Sequence, residues 1–306
     1  MKRSALLLTV LLCCAAASSS DTAKRPRITG IGVVMLGTQD QQKSEAFYRN
    51  LARALLPQSM EICDGCKSLP VETFFPIGGR QFNGEPPRNL LERVVFMTDD
   101  AKGLREWLRK HDCKVSELQH VLKFFSFTAS DPEGHELGFT QSGNKRDRTK
   151  ATAMDDGPSS GPGGVRIVHA GFIVRDRAAT EHFYKDILGF RPYWHGGMKD
   201  DQTDWVSMQV PDGTDWLEFM VNVEPNADQR LRGIMNHIAI GVPDIHAAQR
   251  KLQENGVKLT EEPKIGRDGK WQLNLYDPDQ TRIEFMEFTP VQKPCCSEFT
   301  GPHPKP

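Results

Sequence analysis

His169, Glu218, His237 and Glu284 form two successive His-then-Glu pairs, spaced 49 residues apart in the first and 47 in the second. Two imidazoles and two carboxylates make a mixed nitrogen and oxygen donor set. Such a set suits one divalent metal ion, whether Zn, Ni, Fe, Mn or Co, with water completing the coordination. Any chemistry would occur there.

The elements that must carry these residues follow from the pattern around them. Each His opens an apolar strand-like run, Val168–Val174 and His237–Val242. A helix-period segment comes next, Ala178–Leu188 and Ile245–Asn255, with Gly189 and Gly256 placed to cap it. Further strands are expected near Phe190–Trp194, Trp205–Gln209 and Trp216–Val221, and near Lys258–Thr260, Trp271–Tyr276 and Thr281–Phe288. Both Glu residues fall in the last strand of their unit. The unit is therefore βαβββ, and a pseudo-twofold axis relating two units with facing sheets would converge the four side chains.

The first half repeats the plan. Glu45-Ala46-Phe47-Tyr48 parallels Glu181-His182-Phe183-Tyr184, Asp99-Asp100 parallels Pro243-Asp244, and Asp131-Pro132-Glu133 parallels Asp277-Pro278-Asp279. Its ligand positions read differently. Gly30 aligns with His169, Arg93 with His237 and Gly138 with Glu284, leaving Glu72 as a match for Glu218. His135 and Glu136 lie nearby but out of register by two or three residues, and register decides the face a strand residue reaches. The first half thus reads as a structural copy without metal. Residues 143–165, rich in Gly, Pro and Ser after a charged run, read as a flexible linker.

At this point the sequence resembles the vicinal oxygen chelate superfamily, and its ligand set is similar to that of glyoxalase I. The carriers are His182-Phe183-Tyr184-Lys185-Asp186-Ile187-Leu188-Gly189-Phe190 and Asp277-Pro278-Asp279 followed by Ile283-Glu284-Phe285, with Gln280 where the motif usually has Gly. The resemblance implies an α+β fold: two tandem domains, 27–142 and 166–290, each with paired mixed sheets forming an open barrel, and an irregular tail over 291–306. It implies a metal-stabilised enediolate, with Glu284 as the proton-transferring base and Glu218 as its symmetric partner. Asn222 stands where glyoxalase I has a glutathione-contacting Asn. Ile173 stands where that family has a glutathione-binding Arg, and Arg175 is the nearby basic residue. Trp205 is a further candidate pocket residue, with Ser207 and Trp216. The rival reading is an extradiol ring-cleaving dioxygenase using Fe(II) on His169, His237 and Glu284, although Asn274 holds the position where those enzymes have Tyr. A third reading is a non-catalytic, small-molecule-binding resistance protein.

Composition narrows the partners. A net charge of −1 with a pI near 6.8 argues against a nucleic-acid binder. There is no apolar run of transmembrane length. Four units complete the paired-unit barrels internally, so a monomer suffices. The basic Met1-Lys2-Arg3, the apolar run from Ala5 to Ala17 and the small residues after it read as a signal peptide over 1–20, implying periplasmic or secreted protein. A lipid anchor at Cys13 or Cys14 is the weaker reading, because Leu11-Leu12 precede them. Export would let Cys63, Cys66, Cys295 and Cys296 form local or tail-pinning disulfides, leaving Cys113 as the candidate free thiol.

Overall fold

The computed structural model describes residues 24–55, 77–81, 89–121, 124–142 and 164–306. The signal-peptide residues, the Cys63/Cys66 pair, Glu72 and residues 143–163 of the expected linker lie outside the described residues. No described helix is long and apolar enough to cross a membrane.

The first half contains β1 (Ile28–Thr38), α1 (Gln41–Leu55), β2 (Ile77–Gln81), β3 (Leu91–Thr98), α2 (Ala101–Lys110), β4 (Gln119–Val121), β5 (Phe124–Ser130) and β6 (Glu136–Ser142). The second contains β7 (Arg166–Ile173), a helix α3 that starts over Arg177–Glu181 and widens into a π-helix over His182–Ile187, then β8 (Arg191–Gly196), β9 (Trp205–Gln209) and β10 (Trp216–Met220). It ends with α4 (Gln229–Met235), β11 (His237–Val242), α5 (Ile245–Glu254), β12 (Lys264–Ile265), β13 (Trp271–Tyr276) and β14 (Arg282–Glu287). The expected strand at Lys258–Thr260 does not form; the short edge strand is β12 instead. Asp100, Asp176, Asp228 and Asp244 each cap a helix by accepting from the backbone N–H three residues on.

Each half builds one continuous mixed sheet, not two facing sheets. The first runs β2-β1-β3-β6-β5-β4, and the second runs β12-β13-β14-β11-β7-β10-β9-β8. β7 and β11 pair antiparallel at the centre of the second sheet, and every residue of both is buried. Side chains alternate across this sheet. Ala170, Phe172, Leu217, Phe219, Ile238, Ile240, Ile283 and Phe285 belong to the large core that continues into the first half. The four candidate ligands occupy the alternate positions on the other face.

Strand register corrects two sequence-based equivalences. In the second half His169 pairs with Ala239, Gly171 with His237, and Glu218 with Gly171. In the first half Val33 pairs with Val95, Met35 with Arg93, and Gly78 with Met35. Val33, not Gly30, therefore occupies the place of His169, and the two strands carry the same register shift just before it, between Ile31 and Val33 in β1 and between Ile167 and His169 in β7. Gly78, not Glu72, occupies the place of Glu218. Arg93 and Gly138 hold the other two places: Val95 pairs with Gly138 as Ala239 pairs with Glu284. Arg93 is ion-paired to Glu136. None of these four residues offers a metal a carboxylate or an imidazole.

The two halves are locked by a reciprocal pair of hydrogen bonds. Tyr48 on α1 donates to Asp277 of the second half (2.8 Å), and Tyr184 on α3 donates to Asp131 of the first (3.0 Å). The repeated Phe-Tyr and Asp-Pro motifs thus meet across the halves. Buried Asp215 adds a third tie, accepting from the Ile31 backbone at 2.8 Å while ion-paired to Arg166. Tyr184 is fully buried, so Tyr184→Phe should destabilise the fold by about 1–3 kcal/mol, the range for a bond to a charged acceptor. A chemical-denaturation midpoint equal to that of the unmodified chain would contradict this coupling.

Candidate metal centre

His169, Glu218, His237 and Glu284 come from four adjacent strands, in the order β14, β11, β7, β10. In a flat sheet β10 and β14 would stand about 14 Å apart. Curling of the sheet into a half-barrel closes that gap. Nε2 of His169 and Nε2 of His237 lie 3.0 Å apart. Oε2 of Glu218 is 3.4 Å from the His237 Nε2, and Oε2 of Glu284 is 3.7 Å from it and 3.8 Å from that of His169. One ligand atom each from His169, Glu218 and His237 falls within 4.8 Å of the others.

Burial makes this arrangement costly without a cation. His237 is fully buried, and His169 and Glu284 are only 2% and 3% exposed. Desolvation pushes both imidazoles well below the ordinary histidine value, so both are neutral and keep lone pairs. Nδ1 of His237 donates to the Met235 carbonyl at 3.0 Å, which leaves Nε2 as the bare nitrogen facing the site. Nδ1 of His169 has no hydrogen-bond partner among the described residues. Desolvation likewise raises the carboxyl of Glu284 to about 7 and that of Glu218 above its ordinary value. Converging lone pairs held out of water are what a divalent ion satisfies. The 3.0 Å nitrogen separation is close to that of two imidazoles bound at about 2.1 Å to one ion.

Small residues make room for the rings. A Cβ at Gly171 would stand 2.5 Å from Nδ1 of His237. Ala239 sits opposite His169 in the symmetry-related place. The signal was present in the sequence: each ligand histidine is followed two residues later by a small residue, Gly171 or Ala239. Trp216 packs against His169 with ring centroids 4.7 Å apart and ring planes tilted by 35°. Ser207, opposite Glu218 across the strand pair, hydrogen-bonds its carboxylate.

Other candidates lie elsewhere. The Arg175 backbone and guanidinium both face Glu133 of the first half. Asn222, at a positive φ of 62°, ties the Thr203 carbonyl and the Asp204 carboxylate in a turn. Trp205 stacks on Trp194 within a second apolar cluster that includes Trp216 and Phe299. The structure thus engages Arg175 and Asn222 in contacts between halves and within a loop, not with the four ligands.

Sequence reasoning missed Lys270, Asp268, Arg282 and the tail. Lys270 is fully buried beside the centre, and Arg282 lies 3.7 Å from Glu284. The residues after Phe288 form no regular element, yet they return across the sheet. The Thr300 N–H donates to the Tyr193 carbonyl, the Trp194 indole to the Cys295 carbonyl, and the Gln209 amide to the Pro302 carbonyl. Cys295 and Cys296 are bonded to each other, and Cys113 is free. Tail placement depends on distant strands, so no local pattern announces it.

Residues 166–285 match the Glyoxalase/Bleomycin resistance protein/Dioxygenase superfamily. A lactoylglutathione lyase from Haemophilus influenzae is 28% identical over 125 residues, covering 40% of this chain and 93% of that protein. A homoprotocatechuate 2,3-dioxygenase from Arthrobacter globiformis superposes with a TM-score of 0.58 at 18% identity, covering 87% of this chain and 81% of that one. The enzyme of that name from Brevibacterium fuscum, in complex with 3,4-dihydroxyphenylacetate, gives a TM-score of 0.56 at 17% identity, covering 92% and 84%. These two share the fold.

Gly171→Ala should keep the fold, as read by circular dichroism, and weaken metal binding at least about tenfold by displacing His237. Protonation supplies a second expectation. The Glu284 carboxyl, raised from 4.5 to about 7 by burial, by Glu218 and by Asp268 against the pull of Arg282 and Lys270, holds a proton in the metal-free fold between those two values. A folded-state value above the unfolded one means that this group's contribution to metal-free stability falls as pH rises through that window. A metal must displace the proton, so affinity should climb with pH up to about 7 and flatten above it. Zn²⁺ titration calorimetry at several pH values would show this; affinity independent of pH there would contradict it.

Proposed function

Because residues 166–285 belong to the glyoxalase, bleomycin resistance protein and dioxygenase superfamily, we propose that this chain is a metal-dependent enzyme, a glyoxalase-like lyase or isomerase acting on a small substrate with vicinal oxygens. The observation that carries the reading is the convergence of two imidazole nitrogens and two carboxylates on one sheet face. His169, Glu218, His237 and Glu284 would hold the ion, which when bound supplies Lewis-acid polarisation of the two substrate oxygens.

The protein's own groups do the rest. Glu284 takes the proton from the carbon beside the polarised carbonyl and returns it to the neighbouring carbon, so the net change is an isomerisation without added oxidant. A desolvated carboxylate is a stronger base than one in water, which suits it to this transfer. Glu218, held by Ser207, is its symmetric partner and stabilises the charge distribution. The buried site keeps water from the reacting carbons. Arg175 and Asn222 are occupied elsewhere, so this reading does not depend on glutathione contacts through them.

A second reading is supported by the whole-chain likeness to two extradiol dioxygenases, which extends over both halves. It would use His169, His237 and Glu284 and leave Glu218 spare. The presence of Glu218 among the converging groups favours the lyase reading.

Metal analysis of the purified chain should find about one divalent ion per molecule, lost in His169→Ala. Glu284→Gln should retain part of the metal and lose about 100-fold or more in turnover, the scale of general base catalysis. Formation of S-lactoylglutathione from the methylglyoxal hemithioacetal is the first assay, and oxygen uptake with Fe(II) and catechols the second. Oxygen-dependent ring cleavage would replace the lyase reading. Equal loss of turnover in Glu218→Gln would sink the asymmetric role of Glu284.

A further inference from the structure

Lys270 is a fully buried lysine whose ammonium makes no hydrogen bond among the described residues. Its Nζ lies 4.5 Å from the ring centre of Trp216, 5.2 Å from that of Phe299 and 5.6 Å from that of Tyr193. Trp216 is the same ring that packs against His169, so the ammonium and the metal centre share a wall. Three aromatic faces attract a cation but accept none of its three N–H donors in the ordinary way. A buried ammonium with unused donors is expensive unless an acceptor arrives.

Charge gives the acceptor's sign. Glu218, Glu284 and Asp268 are the carboxylates around Lys270, and Arg282 is the second cation beside Glu284. Histidine coordinates a metal as the neutral imidazole and adds no charge to the count. With every carboxylate ionised, this group carries one net negative charge. A divalent ion turns that into one net positive charge, which a monoanionic ligand neutralises and a neutral ligand does not.

We propose that Lys270 is a substrate-recognition residue, and that the ligand of this centre is a small α-oxygenated monocarboxylic acid, its α-oxygen and one carboxylate oxygen toward the metal and its other carboxylate oxygen toward Lys270. This rests on the metal-centre reading and narrows it to α-oxygenated acids. Phe299, brought by the tail, closes the aromatic wall on the side of Lys270 and excludes water from the ion pair, where a charge-assisted bond is strongest.

The test compares pyruvate with its neutral isostere pyruvamide, using the full chain loaded with Mn²⁺ and titration calorimetry. Lys270→Met should weaken pyruvate binding about tenfold, the worth of one charge-assisted bond, and leave pyruvamide binding unchanged. Lys270→Arg, which keeps the charge and guards against a folding failure in the apolar variant, should retain most of the pyruvate preference. An unchanged pyruvate affinity in Lys270→Met, or equal weakening of both probes, overturns the assignment. So does Mn²⁺ uptake with no pyruvate binding by the unmodified chain, which leaves the metal centre standing. Failure of the unmodified chain to take up Mn²⁺ overturns the metal reading and this one with it.

Discussion

Desolvation of the donor set is the constraint on which the second half is built. Two imidazoles and two carboxylates are held on one face of one sheet, the two imidazole nitrogens 3.0 Å apart and each carboxylate within 3.8 Å of at least one of them. Nothing apolar can satisfy such a cluster, and like-charged carboxylates beside each other raise its cost. The surroundings answer that cost in order. β7 and β11 place the histidines at the sheet centre, Gly171 and Ala239 clear space for the rings, and Ser207 and the Met235 carbonyl fix two of the ligands. Lys270 and Arg282 offset part of the negative charge.

The first half answers a different need. It repeats the topology but places Val33, Gly78, Arg93 and Gly138 where the ligands would be. Its sheet supports the second through one continuous core and through the Tyr48–Asp277 and Tyr184–Asp131 bonds. The motif residues that mark each unit are therefore joints between halves. The second half retains the candidate ligands and the first supplies the surface against which it packs, so one ligand-equivalent position of the first half is free to hold Arg93, ion-paired to Glu136.

The tail has a role that its composition conceals. It carries no helix or strand, yet its backbone is tied to β8 and β9 and its Phe299 completes the aromatic wall around Lys270. Those bonds connect residues about a hundred positions apart in the chain, such as Tyr193 with Thr300 and Trp194 with Cys295. Its Cys295–Cys296 bond is local and does not itself tether the tail to the domain.

The sequence by itself determined the βαβββ units, the helix ends at Gly189 and Gly256, and the four ligand candidates, because each depends on a period, a turn or a repeat spacing that is written locally. It even held the small residue two places after each ligand histidine. Only the tertiary structure decided that each half is a single sheet, that Val33 and Gly78 are the true counterparts of His169 and Glu218, and that Lys270 lies against the centre. Those counterparts are set by strand pairing, including a bulge shared by β1 and β7, which no hydrophobic pattern distinguishes. A buried lysine is recognised by what surrounds it, and here Trp216, Tyr193 and Phe299 arrive from three separate stretches of chain. Proximity of that kind is fixed by long-range packing, which a one-dimensional pattern does not encode.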